Sequence, residues 1–165
     1  MGRSPPIKES TMFDGKPSPA YQDTDITNDG FWPNLNVGDF EKRRGIPAQL
    51  DSEAVAMALV AAMSQINIEL STVKAHYQAR GVEKASLLER LPMVLGKNSV
   101  VVLYEKAVFA RAKSAMVAEF ASLTTKDAGD RLAENERDIT DRLLAESQQH
   151  IRALVGERRC GVALL

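Results

Sequence analysis

The chain has one cysteine, Cys160, which rules out a disulfide framework within a single copy and suits a reducing compartment. It has two histidines, His76 and His150, far apart in sequence, and they read as ordinary surface or interface residues. Neither sign of charge prevails: 21 Lys and Arg stand against 22 Asp and Glu, a formal net charge of −1. A nucleic-acid coat or a polybasic membrane binder would need a clear cationic excess. Long apolar runs are also missing. The longest charge-free apolar stretch, Ala54 to Ile68, lies between Glu53 and Glu69 and is too short to span a bilayer. No apolar run follows Met1-Gly2-Arg3-Ser4-Pro5-Pro6, so no signal peptide is expected. The expectation is a soluble protein, intracellular where it is made, with no membrane partner.

Catalytic signatures are absent as well. Gly15-Lys16-Pro17-Ser18 has the end of a phosphate loop, but Ser10 stands where its first glycine belongs and Pro17 removes an amide the phosphate needs. Gly156 and Gly161 have the loop spacing but are followed by Val162 rather than lysine. There is no Gly-x-Ser-x-Gly elbow, and no histidine neighbours Cys160 in sequence. The carboxylates Glu134, Glu136, Asp138 and Asp141 alternate with Arg131, Arg137 and Arg142, the pattern of a solvated helix face rather than a metal site. A wall facing a DNA passage is the other use such a face could have. Lys42-Arg43-Arg44 is too short for a nucleic-acid patch and reads as a surface turn. No catalytic, cofactor-binding or metal residue is assigned, and the chain is not expected to be an enzyme.

The composition changes near residue 50. Six of the seven prolines (Pro5, Pro6, Pro17, Pro19, Pro33, Pro47) and five of the ten glycines precede that point, so long helices are not expected there. Yet Phe13, Tyr21, Phe31, Trp32 and Phe40 make up five of the nine aromatic residues. Disordered tails are poor in aromatics because they bury nothing. Breakers combined with anchors describe a segment that gains order on another surface. Residues 1–50 are therefore expected to form an extended arm, ordered on assembly.

From Asp51 the pattern is helical. Val55, Leu59, Ala62, Ile66, Leu70, Val73 and Tyr77 recur at steps of three and four, with Asp51 as N-cap and Gly81 as stop. A short helix is expected over Val82–Leu91, ended by Pro92. Asn98 or Ser99 caps a third through Tyr104, Val108, Ala112, Ala115 and Leu123. Its β-branched start Val100-Val101-Val102 permits a strand, but the alanine-rich continuation favours helix. Thr124 or Thr125 opens the fourth, with Leu132, Ile139, Leu143, Ile151 and Leu154 as its stripe and Gly156 after its end. The expected fold is all-α: a bundle of three long helices and one short over 51–156, with a short extended tail over 157–165.

Four segments in order carry a family resemblance. Asp25-Ile26-Thr27-Asn28-Asp29-Gly30-Phe31-Trp32-Pro33, followed by Asp39-Phe40 and Arg43, resembles the N-terminal signature of the phage head completion protein (GPL) family. Ala62, Ile66, Asn67 and Leu70 fit its first core helix, and Leu103-Tyr104, Ala107-Val108 and Ala112-Lys113 its central helix. Arg159-Cys160, Val162 and the apolar end resemble its C-terminal motif. The likeness runs from about Asp25 to Leu165; the stretch just before Val100, with the short second helix, departs from it.

The resemblance implies a structural virion protein of the capsid neck, made in the host bacterial cytoplasm. Such a protein would form a ring with itself, usually dodecameric, below the portal protein. It would hold the DNA in filled heads, let DNA pass through the lumen without sequence-specific binding, and offer a docking surface to a tail terminator or tail completion protein. The non-helical ends would fasten the ring. Phe31, Trp32, Pro33 and Phe40 read as anchors for a pocket, either in an adjacent subunit or in the chain's own bundle. Arg158, Arg159, Val162, Leu164 and Leu165 would add to a partner's sheet or groove, or fold back on the chain. The competing function is a small helical DNA-binding or regulatory module, which would need a basic recognition helix.

Overall fold

A computed structural model describes residues 21–47, 50–124 and 129–156, with side chains placed outside 118–124 and 129–133. Its scaffold is an antiparallel pair of long helices, α4 (Ser99–Thr124) and α5 (Gly129–Val155). Ser147 on α5 donates to the Ala107 carbonyl on α4 at 2.9 Å, while Ser114 of α4 and Thr140 of α5 line one cleft further along. Tyr104, Ala107, Val108 and Ala112 form the buried face of α4, and Ile151 closes the core from α5. Ala115 and Ile139, expected on these stripes, are exposed. Leu123 and Leu132 fall outside the described side chains; of the two expected openings of the fourth helix, Thr124 ends α4 instead and Thr125 lies outside the described residues.

Helix α2 (Ser52–Glu69) packs across α4 through Val55, Leu59, Ala62 and Ile66. Asp51 caps it, accepting from the Ala54 amide at 3.3 Å. The single long helix expected over 51–81 is broken at Leu70, where α3 (Ser71–Ala79) departs at 60°. Leu70 is fully buried, and Ser71 and Thr72 follow it, hydroxyl residues that weaken helix continuity. The bend packs Val73 and Tyr77 against the core. No single helix among the described residues is long and apolar enough to cross a membrane.

Residues 82–98 correct the second expected helix. A 3-10 turn at Ala85–Leu87 is all the helix there is; Leu88 is extended and Arg90 has φ +59°. Pro92 blocks continuation, and the chain forms a hairpin of β3 (Met93–Val94) and β4 (Lys97–Asn98). Its two turn residues, Leu95 and Gly96, have φ of +50° and +73°, the left-handed pair that a tight hairpin requires. Val100–Val102 are helical, the favoured of the two readings.

The N-terminal segment departs most from an extended arm. Strands β1 (Asp25–Ile26) and β2 (Leu35–Asn36) pair antiparallel, and α1 (Val37–Arg44) follows, capped by Asn36 and stopped by Gly45. Lys42-Arg43-Arg44 thus form the last turn of α1, not a surface turn. Gln22 clips onto the buried Glu41 by two hydrogen bonds of 2.9 and 2.8 Å. Gly38 admits this approach: a Cβ there would lie 1.9 Å from the Gln22 carbonyl oxygen.

Asn98 joins the irregular segment to the bundle. Its side-chain oxygen caps α4 at the Val101 amide (3.0 Å), and its amide donates to the carbonyls of Ala85 (2.8 Å) and Leu88 (3.2 Å). Asn98→Ala should destabilise the fold by about 2 kcal/mol, a lost cap plus buried carbonyls left unpaired. Asn98→Asp keeps the cap but sets a carboxylate against two carbonyls, so it should fare no better. Urea midpoints of the two variants check both expectations.

Candidate assembly site

The signature segment folds into a clasp. Asn28 Nδ2 donates to the Tyr104 hydroxyl at 2.8 Å, Tyr104 donates to Asn67 Oδ1 at 2.6 Å, and Asn67 Nδ2 returns to Asn28 Oδ1 at 2.8 Å. Three side chains from the N-terminal segment, α4 and α2 thereby close a circuit in which each both gives and accepts. Burial pushes the Tyr104 hydroxyl well above its usual range, against the opposing hydrogen bond from Asn28, so it stays protonated and able to donate. Asn28 also donates to the Pro33 carbonyl at 2.9 Å.

Asp29 shapes the next turn. Its Oδ1 accepts from the Phe31 and Trp32 amides, each at 3.0 Å, and its Oδ2 meets the Lys74 ammonium at 2.9 Å. Burial works against ionisation of Asp29, but Lys74 and the two amides prevail and hold its carboxyl below the usual range. The turn lays Trp32 flat on Tyr104 with ring centroids 4.6 Å apart, and Phe31 sits edge-on to Trp32 and stacks on Tyr77. The Trp32 indole N–H finds no acceptor among the described residues, so stacking rather than hydrogen bonding holds the ring.

Phe31 and Trp32 are each 2% exposed and Phe40 is fully buried against Phe109. Of the two pockets considered for these aromatics, the one they fill is the chain's own. Pro33 is half-buried at the rim of the clasp. Arg158, Arg159, Val162, Leu164 and Leu165 lie outside the described residues. Asn28, Asp29, Asn67, Lys74 and Tyr104 were not singled out for chemistry from sequence. Asn67, an amide directly after the buried Ile66 of α2, was the available signal.

A second polar cluster fastens α1 to the helical pair. Glu105, nearly buried, takes Arg43 at 2.8 Å and Lys97 at 2.5 Å, and Arg43 also holds Asp39. Arg44 pairs with Glu146 at 2.9 Å and donates to the Lys106 carbonyl. Arg44 keeps the Glu146 carboxyl below its usual range despite some burial. Burial keeps His150 below its usual range even beside Glu146, so it is mostly neutral at pH 7. Arg111 joins α4 to Glu69 of α2, and Gln148 of α5 reaches the same carboxylate. A groove of about 390 Å³ opens beside the cluster, but Arg43, Arg44, Glu105 and Glu146 in its wall are already engaged with one another. No group of three metal-capable side chains occurs among the described residues. Asp138 pairs with Arg142 four residues on, as a solvated face should. His76 is exposed on α3, edge-on to Tyr77.

These sites are built to hold elements together, and they contain no nucleophile–base pair. Because Asp29 and Glu146 ionise more readily folded than unfolded, their stabilisation is complete above the ordinary carboxylate value of about 4 and lost as pH falls through the folded values. Asp29→Asn should therefore lower stability at pH 7 and flatten its decline between about pH 5 and 3, as thermal unfolding across that range would record.

The comparisons agree with this structural character. Over 156 residues the chain is 38% identical to the "Probable head completion/stabilization protein" of Haemophilus phage HP1 (strain HP1c1), covering 93% of this chain and all of that one. No solved structure matches. The model of the family "Phage head completion protein (GPL)" matches residues 26–165, from the first clasp strand to the last residue. The chain belongs to the phage head completion protein (GPL) family, whose members are structural rather than catalytic.

Proposed function

We propose that this protein is a head–tail adaptor. A ring of its copies binds below the portal, stabilises DNA-filled heads and presents the surface on which a tail terminator or tail completion protein docks. The observation that carries this reading is the similarity to a head completion/stabilization protein over 93% of the chain, together with a family match that runs past the helical body through residues 157–165. A cap on a packaged head must resist force without chemistry. The α4–α5 pair, cross-tied by Glu69–Arg111 and Arg44–Glu146, suits that demand. The near-neutral net charge suits a lumen that passes DNA without gripping it. The one cation run in a described helix, Lys42-Arg43-Arg44 in α1, is short, and Arg43 and Arg44 are held by Glu105 and Glu146, which does not favour a DNA-reading module.

In this reading the helical body forms the ring, and Arg158, Arg159, Val162, Leu164 and Leu165 fasten it to the portal or to the tail. One buried leucine contributes about 1.5–3 kcal/mol, and repetition around a ring multiplies a modest contact. Removing Cys160–Leu165 should leave a protein with unchanged helical content whose filled heads lose their DNA to added nuclease. Truncated protein that still seals filled heads would contradict the fastening role of the tail. In contrast, Trp32→Ala should act on folding first, costing about 3–5 kcal/mol through the emptied clasp, and a denaturant titration measures it before any assembly assay.

A further inference from the structure

Helix α2 is apolar toward the core and free of charge on its outer side. Val55, Leu59, Ala62 and Ile66 face the core, and no charge interrupts the helix between Glu53 and Glu69. On its outer side Met57 is 63% exposed and Ile68 74%, Val60 is exposed as well, and the uncharged polar residues Ser64 and Gln65 lie between Val60 and Ile68. A helix that ends its packing at one face should be polar on the other. The β3–β4 hairpin has the same property: Met93 and Val94 are exposed, and Leu95 at its tip is 90% exposed. Leu95 also occupies a left-handed conformation that disfavours any residue with a Cβ. It bears that backbone cost and gains almost no burial within its own chain.

Charge decides how these two surfaces pair. The α2 stripe is bordered only by acids: Asp51 and Glu53 at one end, and Glu69, which also holds Arg111, at the other. The segment Arg90–Lys97 carries only cations, Arg90 and Lys97, the latter also bound to Glu105. Two α2 faces brought together would set acid against acid, and two hairpins cation against cation. A hairpin laid on an α2 face matches apolar with apolar and opposite charges at the edges.

We propose that copies of this chain associate head to tail, with the hairpin tip of one copy (Met93, Val94, Leu95) seated on the outer α2 face (Met57, Val60, Ile68) of the next. Such a contact joins two different patches, so it propagates and closes into a ring where the rotation allows. It rests on the ring reading above and assigns that ring its subunit contact.

Full-length Val60→Cys and Leu95→Cys chains, each also carrying Cys160→Ser, provide the test under mild oxidation. The two mixed together should yield a disulfide-linked dimer that neither yields alone, and a chain carrying both cysteines should yield a ladder of multimers. Leu95→Glu should weaken self-association roughly tenfold or more, the factor implied by losing one buried leucine, with the circular dichroism spectrum unchanged. Wild-type chains that self-associate without the mixed cross-link overturn the proposal and leave the ring reading standing. Homotypic cross-links in either single variant overturn it in favour of a symmetric contact. Unaltered self-association of Leu95→Glu with lost portal binding assigns the hairpin to the portal instead. In a separate Val60→Cys chain that keeps Cys160, a cross-link between those two cysteines of one chain puts the chain's own tail on α2 and also overturns it. Wild-type chains that stay monomeric at every concentration, alone and with portal, overturn both.

Discussion

The hydrogen-bond circuit of Asn28, Tyr104 and Asn67 sets the arrangement of everything around it. Three polar groups drawn from distant parts of the sequence are removed from water together. Any one of them alone would cost about 1–3 kcal/mol as an unpaired buried group. Closed, the circuit leaves none unpaired, and it does so only when the signature segment, α2 and α4 stand in one mutual register. Such a network contributes specificity beyond what apolar burial supplies. It explains why Trp32 meets Tyr104 face to face and why Asp29 reaches Lys74 on the far side of the α2–α3 bend.

The clasp also divides the labour within the chain. Aromatic anchors near a terminus suggest a segment made for a partner, yet here they build the protein's own core. What the described residues leave outward is different in kind: a charge-free helix face and a leucine-tipped hairpin. The strongest burial therefore serves the monomer, and the surfaces left over are those that suit repetition. The proposed ring would need both properties, since each copy must be rigid before the contacts between copies can add.

Much of this was legible in sequence, where periodicity ran long. The spacing of Val55, Leu59, Ala62 and Ile66 gave α2 its buried face, Asp51 gave one cap and Asn98, of the pair Asn98 and Ser99, the other, and Gly156 follows α5 with φ of +82°. The bend at Leu70 was hidden because the apolar repeat continues straight through it into Val73 and Tyr77, and only tertiary packing reveals the change of direction. Residues 82–91 have helix-compatible composition, but Pro92 and the left-handed Arg90 and Leu95 turn the region into a hairpin. The aromatic residues of the signature were visible, and their destination was not. Phe31 and Trp32 fit a pocket in either chain equally well until Asp29 fixes the turn and Tyr104 supplies the surface. The circuit itself was illegible, because its members lie 39 and 37 residues apart and no local pattern links them.

The circuit is tested most directly by a double-mutant cycle on Tyr104→Phe and Asn67→Ala, read as unfolding free energies of the two single variants and the double. A closed network requires strong coupling, with the second substitution costing at least about 1 kcal/mol less in the presence of the first. Strict additivity of the two losses would mean that the hydroxyl and the amide act independently, and the clasp would not be the constraint that organises this fold.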